Sequence, residues 1–483
     1  MGQSIKKNYI LNCTKTISGM LFPLISFAYV SRILSVEGIG KVDYVTQVVS
    51  FFILFASLGV FTYGTREAAK VRDNQRGLSK LVREIIIFNV ITTLLSYTVF
   101  LILVFYFDKF IPYQNLFLIY GVYIVSQSIC LNWLFNALEN YEYITFRYLL
   151  FQVLSLILIF LFVREKDDYL IYIGILAFAG CGSDLLNFFY SRKFVNLRYH
   201  GPVDVTHHVR PVLLLFFNTL LGYIYASTGS IMLGLLSSPY DVGLYAASNK
   251  MVRVCLGLIT ALMVVVLPRA SFYMKNKDTV QLNALVRKSI NFILFSSIPL
   301  VCFVMILGED MLCVLGGQDF TSATHCAQIL SALIFLVPMS MLATHEIIIP
   351  SGMDRKLLLC SACGAVVNIA LNLILIPYCQ EKGAAIAAVS AELTYAVLAV
   401  YFASKCVNFM DVGKGIWHYL LAALVMTLIL IPFYNFSSGI TRCIFMGALG
   451  MLSYIGVLLV LKDEMVLMLM REIQKICRRV FLL

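Results

Sequence analysis

Two short polar stretches decide how this sequence is organised: residues 31–43 read SRILSVEGIGKVD, and residues 237–250 read SSPYDVGLYAASNK. In each of them a serine is followed five positions later by a glycine: Ser35 by Gly40, and Ser238 by Gly243. Each stretch lies between two long apolar runs. The similarity indicates either a turn signal that occurs twice by chance or an internal repeat.

The composition is typical of a membrane protein. Of the 483 residues, 60% are hydrophobic and 13% are charged, whereas soluble proteins carry about 25% charged residues. Apolar runs of roughly 20 residues, enough for a helix to span a bilayer, recur along the chain. These runs are long and show little alternation, which argues against an outer-membrane barrel. We therefore predict an all-α integral membrane protein.

Fourteen apolar runs are long enough to be transmembrane helices. They cover residues 9–31, 44–64, 85–107, 116–138, 143–163, 169–190, 211–236, 244–267, 289–307, 325–349, 357–377, 384–403, 416–433 and 443–461. The connections between them are short, so we expect no soluble domain on either side of the membrane.

Lysine and arginine are concentrated on one side of this topology. The N-terminus, the even-numbered loops and the C-terminus together hold 26 of the 37 basic residues, and the odd-numbered loops hold 7. The positive-inside rule then places both termini in the cytoplasm. The net charge of +11 follows from this topology and does not indicate a nucleic-acid partner. The basic tail, residues 471–483, could lie on anionic membrane lipids or be a frayed helix end.

The two opening stretches fit a repeat of six spans. An offset of 203 superposes Ser35 on Ser238, Gly40 on Gly243 and Arg66 on Arg269, and an offset of 208 superposes Arg147 on Arg355 and Asp184 on Glu392. Because six is even, the copies keep the same orientation, as in a parallel repeat. We predict an N-lobe (1–200), a C-lobe (201–410) around a central cavity, and two C-terminal helices with the tail (411–483).

Glycines in the two stretches are candidate gate residues. By this topology Gly38, Gly40 and Gly243 face outward, where glycine can supply positive φ or flexibility. Two lobes that rock against each other would open and close there. A glycine also suits any short hairpin, and this alternative stays open.

Ionisable residues in the apolar runs are the other candidate functional residues, because charge is expensive inside a membrane. The basic candidates are Lys15, Lys250 and Arg253 within spans, with Arg66 and Arg269 at cytoplasmic ends. The acidic candidates are Asp184, Glu346 and Glu392, which could carry protons or bind Na⁺. Simple topology, snorkelling lysines and structural pairing of the carboxylates are the alternatives.

The 13 cysteines do not indicate a metal or redox site. Most lie inside apolar runs, and the C-x-x-C at Cys360 and Cys363 has no histidine partners nearby in the sequence. We interpret them as buried apolar residues. We expect no metal and no cofactor other than H⁺ or Na⁺ as a coupling ion.

Several motifs resemble those of polysaccharide-unit flippases of the Wzx type. They are SRILSVEGIGKVDYVTQVVSFFILFASLGVFTYGTREAA (31–69), LNWLFNALENYEYITFR (131–147), VGLYAASNKM (242–251), VLPRAS (266–271) and VVNIALNLILIP with KGAAIAAVSAE (366–392). The resemblance covers almost the whole chain and includes the number of spans. The wider superfamily also contains lipid II flippases and multidrug antiporters.

The resemblance implies outward transport of an undecaprenyl-pyrophosphate-linked oligosaccharide across the bacterial inner membrane, for O-antigen, capsule or exopolysaccharide assembly. The implied partners are this lipid-linked oligosaccharide, membrane lipids, a polysaccharide polymerase and a chain-length regulator. Lys15, Lys250 and Arg253 would attract the pyrophosphate, and Arg66 and Arg269 would stand at its entrance.

Two departures bear on the substrate. Lipid II flippases have an arginine-rich first helix, whereas span 1 here has only Lys15, and multidrug antiporters usually have a carboxylate there, which span 1 lacks. A polymerase or glycosyltransferase would need charged residues on a sizeable outward loop, and residues 235–243 hold only Asp241. We expect a transporter and not an enzyme; export of another lipid-linked precursor or of a drug is the alternative.

Overall fold

The computed structural model describes residues 5–197, 199, 201–407, 415–435, 439–468 and 470–471. Within these residues the chain forms helices and no strands. The predicted basic segment 471–483 lies outside the described residues except for its first position.

The chain divides into two compact units, and the first comprises Met1–Ala246. Its helices are α1 (Ile5–Val30), α2 (Val36–Ser57), α3 (Val60–Val71), α4 (Gln75–Tyr106), α5 (Gln114–Ser126), α6 (Asn132–Ala137), α7 (Tyr141–Phe162), α8 (Tyr169–Ser191), α9 (Thr206–Leu236) and the start of α10 (Pro239–Lys275).

The second unit comprises Ala247–Leu483. After the remainder of α10 it contains α11 (Thr279–Gly316), α12 (Thr324–Leu330), α13 (Leu333–Met341), a π-helical turn (Leu342–Ile348), α14 (Asp354–Ala403), α15 (Ile416–Leu430) and α16 (Gly439–Val460). The predicted lobe boundaries at residues 200 and 410 stay predictions.

Each of the fourteen predicted spans overlaps helical residues, so the all-α membrane fold is confirmed. Among the described residues, eight helices are long and apolar enough to cross a membrane, or up to ten if each bent helix pair is one span. The number fourteen therefore stays a prediction. The chain is a multi-pass membrane protein.

Polar caps at the boundaries explain where several helices begin. Ser35 accepts a hydrogen bond from the backbone N–H of Gly38 at 3.2 Å and starts α2. Asn74 accepts one from Gly77 at 3.0 Å and starts α4. Such side chains satisfy N–H groups that a helix leaves unpaired in its first turn.

The second predicted span, residues 44–64, is broken where the sequence presents it as continuous. Leu58 has φ 45° and Gly59 has φ 115°, so α2 ends and α3 begins within one predicted span. The eleventh and twelfth predicted spans correspond to the two parts of α14, which meet at a kink at Gln380 with φ 50°.

The core that positions the candidate site in the first unit surrounds Trp133. The Trp133 side chain is 1% exposed and packs in one cluster with Tyr63, Leu81 and Val212. A Cβ at Gly64 would lie 2.7 Å from the indole ring, so glycine allows α3 to contact it. The start of α9 is held against α3 and α4 by this cluster.

Candidate functional site

The two stretches that define the repeat meet in the structure. A Cβ at Gly40 would lie 2.8 Å from the backbone nitrogen of Gly243 and would overlap the carbonyl oxygen of Pro239. A Cβ at Gly243 would lie 2.9 Å from the carbonyl carbon of Val36 and would overlap its oxygen. The first turns of α2 and α10 therefore cross with their backbones in contact.

The crossing corrects the reason given for these glycines. Neither Gly40 nor Gly243 has a positive φ, so the absence of a side chain, and not a left-handed backbone, is what the structure requires there. Gly38 is not at the crossing, since its added Cβ would meet Leu34 Cβ at 3.4 Å, an ordinary contact. Of the three candidate gate residues, Gly40 and Gly243 thus lie at the crossing, whereas Gly38 donates the backbone hydrogen bond that the Ser35 cap accepts.

The start of α10 repeats the capping of α2. Ser238 Oγ accepts from the backbone N–H of Asp241 at 3.3 Å and donates to its carboxylate at 2.7 Å. Ser35 caps Gly38 three positions ahead in the same way. Pro239 follows as the first residue of α10, a position that suits proline because its nitrogen needs no partner there. Both members of the predicted repeat therefore begin a helix with a serine cap.

Asp184 lies in a buried polar network on α8. Its side chain is 2% exposed, and one carboxylate oxygen accepts from Ser126 Oγ at 2.9 Å and from Gln127 Nε2 at 3.3 Å. Ser126 is the last residue of α5, and Gln127 follows it. A buried carboxylate is tolerated where such donors replace its lost water, so α5 and α8 are matched to hold this group.

Arg147 brings a buried positive charge to the same network. It lies on α7, is 6% exposed and donates through Nη1 to the carbonyl oxygen of Ser183 at 3.2 Å. It attracts Asp184 electrostatically, although the two do not form a direct ion pair. From the sequence alone, Arg147 is only a marker of the repeat. The signal that could have identified it was a basic residue one turn inside an apolar helix.

Lys15 lies beside this network on α1. Its side chain is half-buried, its Nζ lies 5.9 Å from the ring centroid of Tyr148, and it experiences the repulsion of Arg147. The hydroxyl of Thr145 donates to the carbonyl oxygen of Leu11 at 3.2 Å and ties α7 to α1. The predicted cation in span 1 is thus brought together with a second cation on α7.

The second unit repeats the pairing of a serine with a buried carboxylate. Glu392, 3% exposed on α14, accepts from Ser340 Oγ on α13 at 2.6 Å. Glu346 is fully buried in the π-helical turn, and neither of its carboxylate oxygens has a hydrogen-bond partner. π-Helical turns frequently occur at functional sites. The structure keeps both predicted acidic residues inside the helices of this unit.

Three of the four remaining predicted cations are exposed, and the fourth is half-buried. Arg66 is exposed and pairs with Glu67 at 3.0 Å, which fits the simple topological interpretation of a positive residue at a helix end. Arg253 is exposed and bonds Asn249 one turn earlier at 3.3 Å. Lys250 is half-buried and Arg269 is exposed on α10. Their role in substrate binding stays a prediction.

Comparison with known proteins places this geometry among transporters. A family model described as "Polysaccharide biosynthesis protein" matches residues 5–274, more than half of the chain. A protein of Escherichia coli (strain K12) named "Putative O-antigen transporter" is 24% identical over 421 residues, covering 83% of this chain and 96% of that protein. One of Shigella dysenteriae with the same name is 21% identical over 409 residues, covering 84% of this chain and 100% of its own length.

Solved structures show the same fold. Lipid II flippase MurJ in an inward closed conformation has a TM-score of 0.73 at 15% identity, covering 95% of this chain and 99% of its own. An inward-facing multidrug resistance MATE family transporter of the MOP superfamily has a TM-score of 0.60 at 14% identity, covering 86% and 97%. The named relatives are transporters and flippases and not enzymes, as the short outward loops predict.

Proposed function

The chain belongs to the polysaccharide biosynthesis protein family, and we propose that it is a flippase for an undecaprenyl-pyrophosphate-linked oligosaccharide repeat unit. The unit would move from the cytoplasmic to the periplasmic leaflet of the bacterial inner membrane, with both termini of the chain in the cytoplasm. The names of the Escherichia coli and Shigella dysenteriae relatives support this substrate class.

The observation that carries the proposal is the pair of cations beside one carboxylate. Lys15 and Arg147 repel each other, and Asp184 can neutralise only one of them. A pyrophosphate is an anion that hydrocarbon excludes. The site therefore offers the positive charge that would compensate a pyrophosphate inside the membrane. Its two cations lie on α1 and α7, which are joined by the hydrogen bond of Thr145.

The buried carboxylates supply a means of ion coupling. Asp184 and Glu392 each accept a hydrogen bond from a serine, and each could alternate between a protonated or Na⁺-bound form and a free carboxylate. Loss of the negative charge on Asp184 would strengthen the positive field around Arg147. Binding of the coupling ion and of the pyrophosphate would then depend on each other.

The crossing of α2 and α10 supplies an element that can move. Two helix starts in backbone contact can separate without breaking a side-chain network, because few side chains lie between Gly40 and Gly243. Alternating access needs such a contact to form in one state and open in the other.

A polysaccharide polymerase and a chain-length regulator would act on the exported unit.

Deletion of the gene from its host tests this function. We expect the surface polysaccharide to be lost while lipid-linked units accumulate on the inner leaflet, and we expect the intact chain supplied from a plasmid to restore export. Normal surface polysaccharide in a host without a second such transporter would contradict the proposal. If the surface polysaccharide is unchanged but export of another lipid-linked precursor or resistance to a drug is lost, that precursor or drug would be the favoured substrate.

A further inference from the structure

The described residues between α8 and α9 are hydrogen-bonded to α4 at three positions. The backbone N–H of Asn196 donates to Ser79 Oγ at 2.9 Å, and Arg83 donates to the carbonyl oxygen of Tyr199. Near the segment's end, the backbone N–H of Asp204 donates to Glu84 Oε1 at 2.8 Å. The last of these contacts brings two adjacent histidines to a buried carboxylate.

Glu84, His207 and His208 form a compact group of potential metal ligands. One ligand atom from each lies within 4.8 Å of the other two. Glu84 is 3% exposed and His208 is 1% exposed, whereas His207 is exposed. The two imidazole rings lie side by side, with centroids 3.8 Å apart. The group is thus buried on one side and open to solvent on the other.

The distance between two of these ligands fits a metal better than a direct hydrogen bond. His208 Nε2 lies 3.3 Å from Glu84 Oε2, longer than the roughly 2.7–2.9 Å of a charge-assisted N–H···O bond. Zinc–nitrogen and zinc–oxygen bonds of about 2.0–2.1 Å in a tetrahedron place neighbouring ligands about 3.3 Å apart. An ion can therefore be inserted between these two atoms with little movement.

Each histidine also has a partner for its other ring nitrogen. His208 Nδ1 lies 2.6 Å from the Tyr63 hydroxyl, and His207 Nδ1 lies 3.4 Å from Asp204 Oδ2. Metal-binding histidines characteristically donate the second N–H to such an oxygen, which fixes the ring and its tautomer. This arrangement leaves Nε2 of both rings available for a metal ion.

We propose that Glu84, His207 and His208 bind one divalent transition-metal ion of the zinc class, with water as the fourth ligand. Two imidazoles and one carboxylate suit Zn²⁺, whereas Mg²⁺ and Ca²⁺ prefer oxygen ligands alone. Lys80 Nζ lies 3.8 Å from Glu84 Oε1 and would repel a bound cation, but its side chain is exposed and can turn away into solvent. The ion would fasten the 192–208 segment and the start of α9 to α4.

Metal titration of the purified full-length protein tests the site. After removal of metal with a chelator, we expect one Zn²⁺ per chain to bind, with an unfolding midpoint raised by a few degrees, and Mg²⁺ and Ca²⁺ to give neither effect. Co²⁺ in place of Zn²⁺ should give the visible spectrum of a tetrahedral site. Absence of stoichiometric Zn²⁺ binding would show that the group is only a hydrogen-bonded cluster and would overturn the proposal.

Two variants locate the ion. His207→Ala removes an exposed ligand without opening the core, and Glu84→Gln keeps the acceptor for Asp204 while removing the charge; each should weaken Zn²⁺ binding at least about tenfold. His325→Ala, at an exposed histidine in the second unit, is the control and should bind like the wild type. Equal binding in all three, with unchanged unfolding midpoints without metal, would place the ion elsewhere and overturn the assignment.

Discussion

Lys15, Arg147 and Asp184 leave one positive charge in excess at the candidate site. Like charges at short range inside a protein are destabilising unless an anion compensates them. Asp184 compensates only in part, and it is itself held by Ser126 and Gln127. An anionic substrate group would therefore bind where the free chain is electrostatically unsatisfied.

Replacement of Lys15 tests this point. Lys15→Gln should lower transport at least about tenfold, because a hydrogen bond to a charged group contributes about 1.5–3 kcal/mol, while membrane insertion stays normal. Lys70→Gln is the matched control, since Lys70 is exposed and pairs with Glu67 on the same unit. Transport at the wild-type rate in Lys15→Gln would remove this residue from the substrate path.

Replacement of Asp184 tests ion coupling. Asp184→Asn keeps the size of the side chain and its acceptor for Ser126 but cannot ionise, so transport should no longer respond to an imposed H⁺ or Na⁺ gradient. Asp463→Asn changes a carboxylate of similar burial, 4% exposed, that caps a helix start through Met465. A gradient response that survives in Asp184→Asn and equals that of the control would contradict the proposed role.

The sequence predicts some of these residues and misses others for physical reasons. Asp184 and Glu392 were found because a carboxylate in an apolar run has no topological explanation. Arg147 was missed because it lies near a helix end, where basic residues are common. Glu84 and His208 were missed because 124 positions separate them in the chain, and only the fold brings them together.

At the scale of elements, the crossing of α2 and α10 depends on two missing side chains. Overlap with backbone atoms cannot be relieved by a side chain turning away, so even a methyl group must push the helices apart. The same stretch carries the serine caps that begin both helices. The close contact and the capped helix starts are the two features on which the proposed gate rests.

Alanine at the crossing tests that view. Gly40→Ala should lower the free energy of unfolding by about 1–3 kcal/mol, as overpacking does, and should reduce transport. Gly222→Ala on α9 is the control: an added Cβ there has no neighbour within 4 Å, so its stability should be unchanged or rise by up to about 1 kcal/mol. Equal stability and transport in the two variants would show that the helices do not need to touch.

Helices were predictable from the sequence, and the kink at Gln380 lies between two predicted spans, 357–377 and 384–403. The break at Leu58, inside the predicted span 44–64, was not predicted. Apolar length alone places a helix in each predicted span. Leu58 has a left-handed backbone with φ 45°, and a leucine carries no local signal for that conformation. The glycines were noticed, but the tight contact between residues far apart in sequence required the fold.

At the scale of the whole molecule, the family relationship inferred from the motifs is confirmed by the match over residues 5–274. The two units share a serine–carboxylate pair, Ser126 with Asp184 and Ser340 with Glu392. The shared pair supports the predicted parallel repeat. The offset of 208 aligns the two carboxylates with each other but does not align the two serines. Orientation in the membrane rests on the charge bias alone.

Cysteine labelling tests the orientation. In a cysteine-free background, Tyr240→Cys in the first turn of α10 should react with a membrane-impermeant maleimide in intact cells, because residues 237–243 are predicted to face outward. Arg76→Cys at the start of α4 should react only after the membrane is opened. Both residues are exposed, so the reverse pattern would mean that the topology is inverted.

Flipping in a purified system tests the central claim most directly. The chain is reconstituted in liposomes with a fluorescent undecaprenyl-pyrophosphate oligosaccharide, and an impermeant reductant quenches the label in the outer leaflet. We predict that wild-type protein exposes the label of both leaflets, and that Lys15→Gln does so far more slowly. Quenching that stops at the outer leaflet, as in protein-free liposomes, would contradict the assignment of this chain as a flippase.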